Sequence, residues 1–213
     1  MKVKINREQL LKEVEAVMPG LSGKELIEQS DCVVFKGGKI HTYNDEVACS
    51  YATNIKLAGA IKAQPLTELL RKRKDDELEM ETSPTTLTIK GKRFKAAIQM
   101  ENKVLLPISA LKEPKKWKKL HSKFGEALKY VMSCAGKDES QFALTCVHIN
   151  PLWIEACDNQ QASRFKMKTG FKKPILVRKE ALKYLTSLDM TEFGETKNWV
   201  RFRNPAGLIL SCR

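Results

Sequence analysis

Two hydrophobic periods alternate along this chain and predict both strands and short amphipathic helices. Residues 2–6 alternate between polar and apolar side chains, which is typical of a strand, and residues 7–18 carry an apolar stripe at helical spacing. A second helix is predicted at 65–74, where Pro65 stands in the first turn and three leucines form the stripe. This helix ends in four consecutive cations, which suit the negative end of a helix dipole.

The same two periods predict the remaining elements of the chain. Period-two segments bounded by turn residues predict strands at 32–36, 39–43, 47–53, 77–82, 86–90 and 93–100, with a weaker extended segment at 55–63. In the second half, helices are predicted at 123–135 and 179–188. Strands are predicted there at 142–149, 152–156, 163–168, 174–178, 191–196, 199–203 and 208–212.

The order of these elements occurs twice, which predicts a tandem duplication. Corresponding pieces lie roughly 115 residues apart, although the two copies share little sequence. We predict one domain at 1–101, a linker at 102–116 that carries two prolines and a lysine run, and a second domain at 117–213. Two helices packed on one face of antiparallel sheets in each domain make the predicted fold class α+β.

Charge and composition narrow the class of partner. The 213 residues carry 38 Lys plus Arg against 25 Asp plus Glu, a net charge of +13. This excess favours an anionic partner, most often a nucleic acid. The six cysteines form no CxxC pair, and neither an apolar export signal nor a run long enough to span a bilayer is present. We therefore expect an intracellular, cytoplasmic protein whose cysteines are small core residues.

No arrangement typical of an enzyme is found in the sequence. The three histidines, at 41, 121 and 148, match no metal-ligand spacing, and no GxGxxG, GxxxxGK[ST] or GxSxG motif is present. We expect a protein that is not an enzyme and has no cofactor or metal. A metal-dependent nuclease with dispersed carboxylates remains an alternative, because no motif marks such a site.

Four stretches resemble the processivity sliding clamps that serve DNA polymerases, and most closely the bacterial β subunit of DNA polymerase III. MKVKINREQLLKEV is similar to the opening strand and helix of that family, and DCVVFKGGKIHTYNDEVACSYAT to its three-strand meander. RFKAAIQM resembles the end of its first domain, and WIEACDNQQASRF the signature of its second. Residues 159–163 form a longer turn than is usual, and the chain has two such domains where a bacterial clamp has three.

The resemblance implies a non-catalytic processivity factor, self-associated into a ring of six domains around duplex DNA, that tethers a polymerase. Three two-domain chains or two three-domain chains would close such a ring, in a bacterial nucleoid or in a host cytoplasm infected by a phage. Helices would line the hole, and their cations would contact phosphates without reading bases. The cations expected there are Lys12, Arg71, Lys72, Arg73, Lys74, Lys129, Lys137, Arg178, Lys179 and Lys183.

A second surface implied by the resemblance is a pocket for short peptides of the polymerase and the clamp loader. Cys157, Asp158, Arg164 and Phe165 match the wall that the second domain contributes. Two other classes of protein stay open from the residues alone. One is a basic protein or metal-dependent nuclease that grips DNA on one face, and the other is a scaffold whose charge serves solubility.

Overall fold

A computed structural model describes residues 2–23 and 27–213. The chain divides into two compact units, Met1–Leu111 and Lys112–Arg213. The boundary between them falls inside the segment 102–116 that the sequence marks as a linker. Within the described residues, no helix is long and apolar enough to cross a bilayer.

The first unit contains one antiparallel sheet. Its strands, in chain order, are β1 Lys2–Asn6, β2 Cys32–Lys36, β3 Lys39–Tyr43, β4 Val47–Ala52, β5 Gly59–Lys62, β6 Glu77–Thr82, β7 Thr86–Gly91 and β8 Phe94–Glu101. In space the order is β1-β6-β7-β8-β5-β2-β3-β4. The predicted strands are confirmed within one residue at each end, and the weaker segment 55–63 contributes only the short strand β5.

Two helices cover this sheet, α1 at Arg7–Val17 and α2 at Ala63–Lys72. The Asn6 side chain accepts a hydrogen bond from the Gln9 N–H at 2.9 Å and so caps α1. Helix α2 begins two residues before Pro65, because the first turn of a helix does not need the missing N–H of proline. It also ends earlier than predicted: the backbone of Arg73 is extended, so Arg73 and Lys74 lie outside the helix.

Helices α1 and α2 pack against each other, and α1 also packs against β3 and β4. Leu10, Val14, Leu66 and Leu70 are fully or almost fully buried at this contact. Arg7, at the start of α1, donates to the carbonyl of Leu70 at 3.3 Å and so caps the end of α2.

The second unit repeats this order of elements with two separate sheets. Its strands are β9 Lys118–Lys119, β10 Cys146–Asn150, β11 Trp153–Cys157, β12 Ala162–Lys166, β13 Ile175–Arg178, β14 Glu192–Glu195, β15 Val200–Arg203 and β16 Ile209–Cys212. One sheet has the order β12-β11-β10-β13 and the other β16-β15-β14-β9, and all pairs are antiparallel. The fold class α+β is therefore confirmed.

Helix α3 spans Phe124–Met132 and packs on β11 and β12. The helix predicted at 179–188 is shorter than expected: α4 covers only Lys179–Leu182 and continues as a 3-10 helix at Lys183–Thr186. The hydroxyls of Thr186 and Ser187 bond to carbonyls three residues earlier, which ends the helical segment.

The strand predicted at 142–149 is also partly wrong. Residues Phe142–Thr145 form a 3-10 helix, and the strand starts at Cys146. The Thr145 hydroxyl donates to the carbonyl of Phe142 at 2.8 Å, which closes this turn before the strand begins.

Candidate nucleic-acid interface and partner groove

The paired helices of the first unit present cations on their outer surface. Lys12 is exposed on α1, one turn from Glu15. Arg71 of α2 reaches across to Glu15, with Nη2 2.7 Å from Oε1. Because Lys12 and Glu15 are neighbours on one helix face, Lys12 and Arg71 lie on a shared surface formed by the two helices.

The end of α2 adds three further cations. Lys72 pairs with Glu68 one turn earlier at 3.4 Å, and both side chains are largely exposed. The guanidinium of Arg73 lies over the ring of Phe94, 4.2 Å from its centroid. Lys74 is exposed, and no partner for it is found among the described residues. All five cations predicted for this unit are therefore accessible to solvent.

In the second unit Lys129 stands at the edge of an open hollow of about 780 Å³. Lys119 of β9 and Lys168, which follows β12, line the same hollow. Neither Lys119 nor Lys168 is among the cations predicted from the sequence. The three lysines come from separate segments and line one hollow.

Three other predicted cations of this unit are engaged within the protein. Lys179 donates to the carbonyls of Ala135 and Gly136 at 2.9 and 3.3 Å, just beyond the end of α3. Arg178 pairs with Glu139 at 2.7 Å, and only 19% of its side chain is exposed. Lys183 pairs with Glu180 at 2.6 Å, but both remain about half exposed.

Exposed cations without a charged partner are available to bind an external anion, whereas cations in ion pairs must first exchange a carboxylate. Lys12, Lys74, Lys129 and Lys137 are exposed and have no charged partner among the described residues. An exposed ion pair such as that of Lys183 contributes only about 0–1 kcal/mol, so a phosphate can replace the carboxylate. Exposed cations of this kind can contact phosphates without reading bases.

A groove of about 950 Å³ lies on the face of the β12-β11-β10-β13 sheet that faces away from α3. Strand alternation places Cys146, His148, Glu155, Cys157, Arg164 and Leu176 on this face. Ala143 and Leu144, from the 3-10 helix before β10, complete one wall. Leu176 is 51% exposed on this face.

A charged network crosses this groove. Glu155 accepts from Arg164 Nε at 2.6 Å and lies 2.7 Å from His148 Nδ1. Partial burial acts to raise the pKa of Glu155, but the hydrogen bonds from His148 and Arg164 outweigh it and hold that pKa below its usual range. The Arg164 guanidinium also lies 4.9 Å from the ring centroid of Trp153. Arg164 is thus held in one orientation at the groove rim.

Two of the four residues predicted for the peptide pocket line the groove, and two do not. Cys157 and Arg164 line the groove. Asp158 lies in the adjoining turn, where it accepts from the N–H groups of Gln160 and Gln161 at 2.8 Å each. Phe165 faces the other side of the sheet, with its ring 6.1 Å from that of Tyr130 on α3. Alternation along β12 explains the difference between Arg164 and Phe165.

Histidines of both units contact neighbouring groups within the fold. Across residues 2–23 and 27–213 no group of three or more His, Cys, Asp or Glu side chains could hold a metal ion. His148 is bound to Glu155, and His41 is half-buried next to the carbonyl of Lys36. Burial lowers the pKa of His41.

No protein-family model matches the sequence and no curated protein matches it, whereas solved structures do. The DNA polymerase III beta chain of Streptococcus pneumoniae matches with a TM-score of 0.84 at 15% identity. A sliding clamp (DNA polymerase III subunit beta) of Bartonella birtlesii, bound to griselimycin, gives 0.83 at 17%. The DNA polymerase sliding clamp of Bacillus subtilis gives 0.82 at 13%.

Each of these matches covers 100% of this chain and 64% of the other, so the chain spans somewhat less than two thirds of their length. At 13–17% sequence identity, such a match establishes a shared fold but not a shared activity. The comparisons show that this chain has the fold of bacterial DNA polymerase III beta sliding clamps over its whole length.

Proposed function

We propose that this chain is a non-catalytic processivity factor, a sliding clamp that encircles duplex DNA and tethers a replicative polymerase. The observation that carries the proposal is the combination of the clamp fold with exposed cations on and beside the helices. In a ring of six such domains, these helices would line the hole. Duplex DNA carries about one negative charge per 1.7 Å of axis, so a cationic lining is attracted to any sequence.

Encirclement explains why the cations need not bind tightly. A protein that slides must exchange phosphate contacts continuously, and flexible, exposed lysines suit that exchange better than a fixed base-reading set. Lys12, Lys74, Lys129 and Lys137 are of this kind. The ion pairs of Arg71 and Lys72 moderate the charge without burying it.

The proposal is tested by loading the protein on a nicked circular plasmid, isolating the complex by gel filtration and then cutting the plasmid once. A clamp leaves the linear product within the time of a second filtration. Retention on the cut plasmid, with a steep dependence on salt, would instead indicate a basic protein that grips DNA on one face. Magnesium-dependent cleavage of the plasmid would indicate a nuclease.

We further propose that the groove binds short apolar peptides of the polymerase and the clamp loader. Its apolar walls with one fixed cation at the rim fit such a ligand. All its lining residues belong to the second unit. Replacing Leu176 with Asp is expected to abolish capture of the polymerase. Leu152→Asp is a matched control, because Leu152 is 57% exposed but does not line the groove.

A further inference from the structure

Two cysteines lie in the groove, one at the end of each central strand. Cys146 begins β10 and is buried, and Cys157 ends β11 and is exposed. Both line the groove, whereas the other four cysteines do not. The two thiols therefore share one surface but differ in access to solvent.

The strand register places these cysteines opposite each other. The ladder between β10 and β11 pairs Asn150 with Trp153 and continues to His148 with Glu155, where it stops. Two residues further along each strand come Cys146 and Cys157. Since side chains alternate with a period of two, both lie on the face that His148 and Glu155 occupy.

Beyond the last pair, each strand is held by its outer neighbour. Cys146 pairs with Arg178 of β13, and Cys157 pairs with Ala162 of β12. Among the described residues no pair joins β10 and β11 beyond His148 and Glu155 at this end, where both cysteines line the groove. If the ladder were extended by two residues, the cysteine Cα atoms would stand about 4.5–5.5 Å apart. A disulfide needs a separation of roughly 4.4–6.8 Å, which an extended ladder would supply.

We propose that Cys146 and Cys157 form a dithiol site that low-molecular-weight disulfides oxidise, and that the resulting bond closes the partner groove. The thiolate of Cys157 attacks the small disulfide, forms a mixed disulfide and expels one small thiolate. The thiolate of Cys146 then attacks the Cys157 sulfur and expels the second small thiolate. Two protein thiols are oxidised, one small disulfide is reduced, and the two thiol protons pass through solvent to the two small thiolates.

The surroundings of the two thiols support these separate roles. Exposed Cys157 lines the open groove and is accessible to a small disulfide. Cys146 donates its S–H to the carbonyl of Phe142 at 3.4 Å and is shielded from direct attack. Cys32 and Cys49 provide a contrast, since burial raises the pKa of each thiol to about 12.

Oxidised glutathione and mass spectrometry test the bond directly on the full chain. After treatment and blocking of the remaining thiols, the tryptic peptide 138–164 contains both cysteines and no other. It is expected to be unblocked and lighter by two hydrogens, and cleavage after Glu155 is expected to leave its parts linked. In a Cys146→Ser variant the glutathione adduct on Cys157 should persist. Cys134→Ser is the control that leaves the bond unchanged.

The effect on partner binding rests on the function proposed for the groove and is measured separately. A fluorescent peptide that carries two adjacent large apolar residues is expected to bind the oxidised protein about tenfold more weakly, and reduction should restore binding. A stable glutathione adduct in the unmodified sequence, or two blocked thiols, would overturn the dithiol site. If the disulfide forms but the reduced protein does not bind the peptide, the proposed peptide-binding function of the groove is wrong and the dithiol site is still supported.

Discussion

Replacing Lys179 with Met tests whether this lysine stabilises the fold or contacts DNA. The sequence predicts the same DNA-binding role for Lys179 and Lys129. In the structure their ammonium groups have different surroundings. The ammonium of Lys179 donates to two carbonyls that follow α3, while Lys129 is exposed at an open hollow. We expect Lys179→Met to destabilise the second unit and to leave DNA affinity almost unchanged.

The size of this effect follows from the two hydrogen bonds. A hydrogen bond to a charged group contributes about 1.5–3 kcal/mol, and a cation at a helix C-terminus about 0.3–1 kcal/mol. Lys179 remains partly exposed, so solvent screening reduces the sum, and we expect a decrease of about 2 kcal/mol in the free energy of unfolding. Methionine keeps the apolar stem of the side chain, which limits the change to the ammonium group.

Urea denaturation and fluorescence anisotropy with a short labelled duplex measure the two quantities. Lys129→Met is the matched control, with unchanged stability and a salt dependence of DNA binding that is smaller by about 0.9 for each phosphate that is no longer neutralised. The assignment would be refuted if Lys179→Met left the urea midpoint unchanged and reduced the salt slope as Lys129→Met does. Arg7→Met should resemble Lys179→Met, because Arg7 caps α2 in the same way.

Three further predictions concern other parts of the chain. Glu155→Gln should lower the melting temperature more at pH 7 than at pH 3. The pKa of Glu155 is depressed in the fold, so its contribution to stability is fully present above the unfolded value near 4.5 and is lost as the pH falls through the folded value. Gly194→Ala should cost about 1–3 kcal/mol in urea denaturation, because the added methyl would stand 2.5 Å from a Pro114 carbon. Iodoacetamide at pH 8 should label Cys157 and leave Cys32 and Cys49 unmodified, since the pKa of each buried thiol is about 12.

The hydrophobic pattern was sufficient to predict most elements, because a period of two or of 3.6 depends only on which side is buried. The ends of helices were harder to predict. The helix predicted at 179–188 shortens because hydroxyls of Thr186 and Ser187 compete for its carbonyls. The helix at 65–74 shifts towards Ala63, since β5 runs directly into it.

The candidate sites were less predictable than the fold, because they depend on contacts between distant segments. Nothing near Lys179 in the sequence marks its bonds to residues more than forty positions earlier. The hollow shared by Lys119, Lys129 and Lys168 likewise arises only when three elements meet. By contrast, alternation along β12 could have separated Arg164 from Phe165, since adjacent strand residues face opposite sides.

The residence time on linear DNA, with free ends and with ends blocked by bulky bound proteins, tests encirclement most directly. A protein that encircles DNA should be lost rapidly from free ends and retained for long between blocked ends, at the same salt and with the same DNA sequence. Equal residence times on the two substrates would show that the protein holds DNA by surface affinity, and would contradict the account.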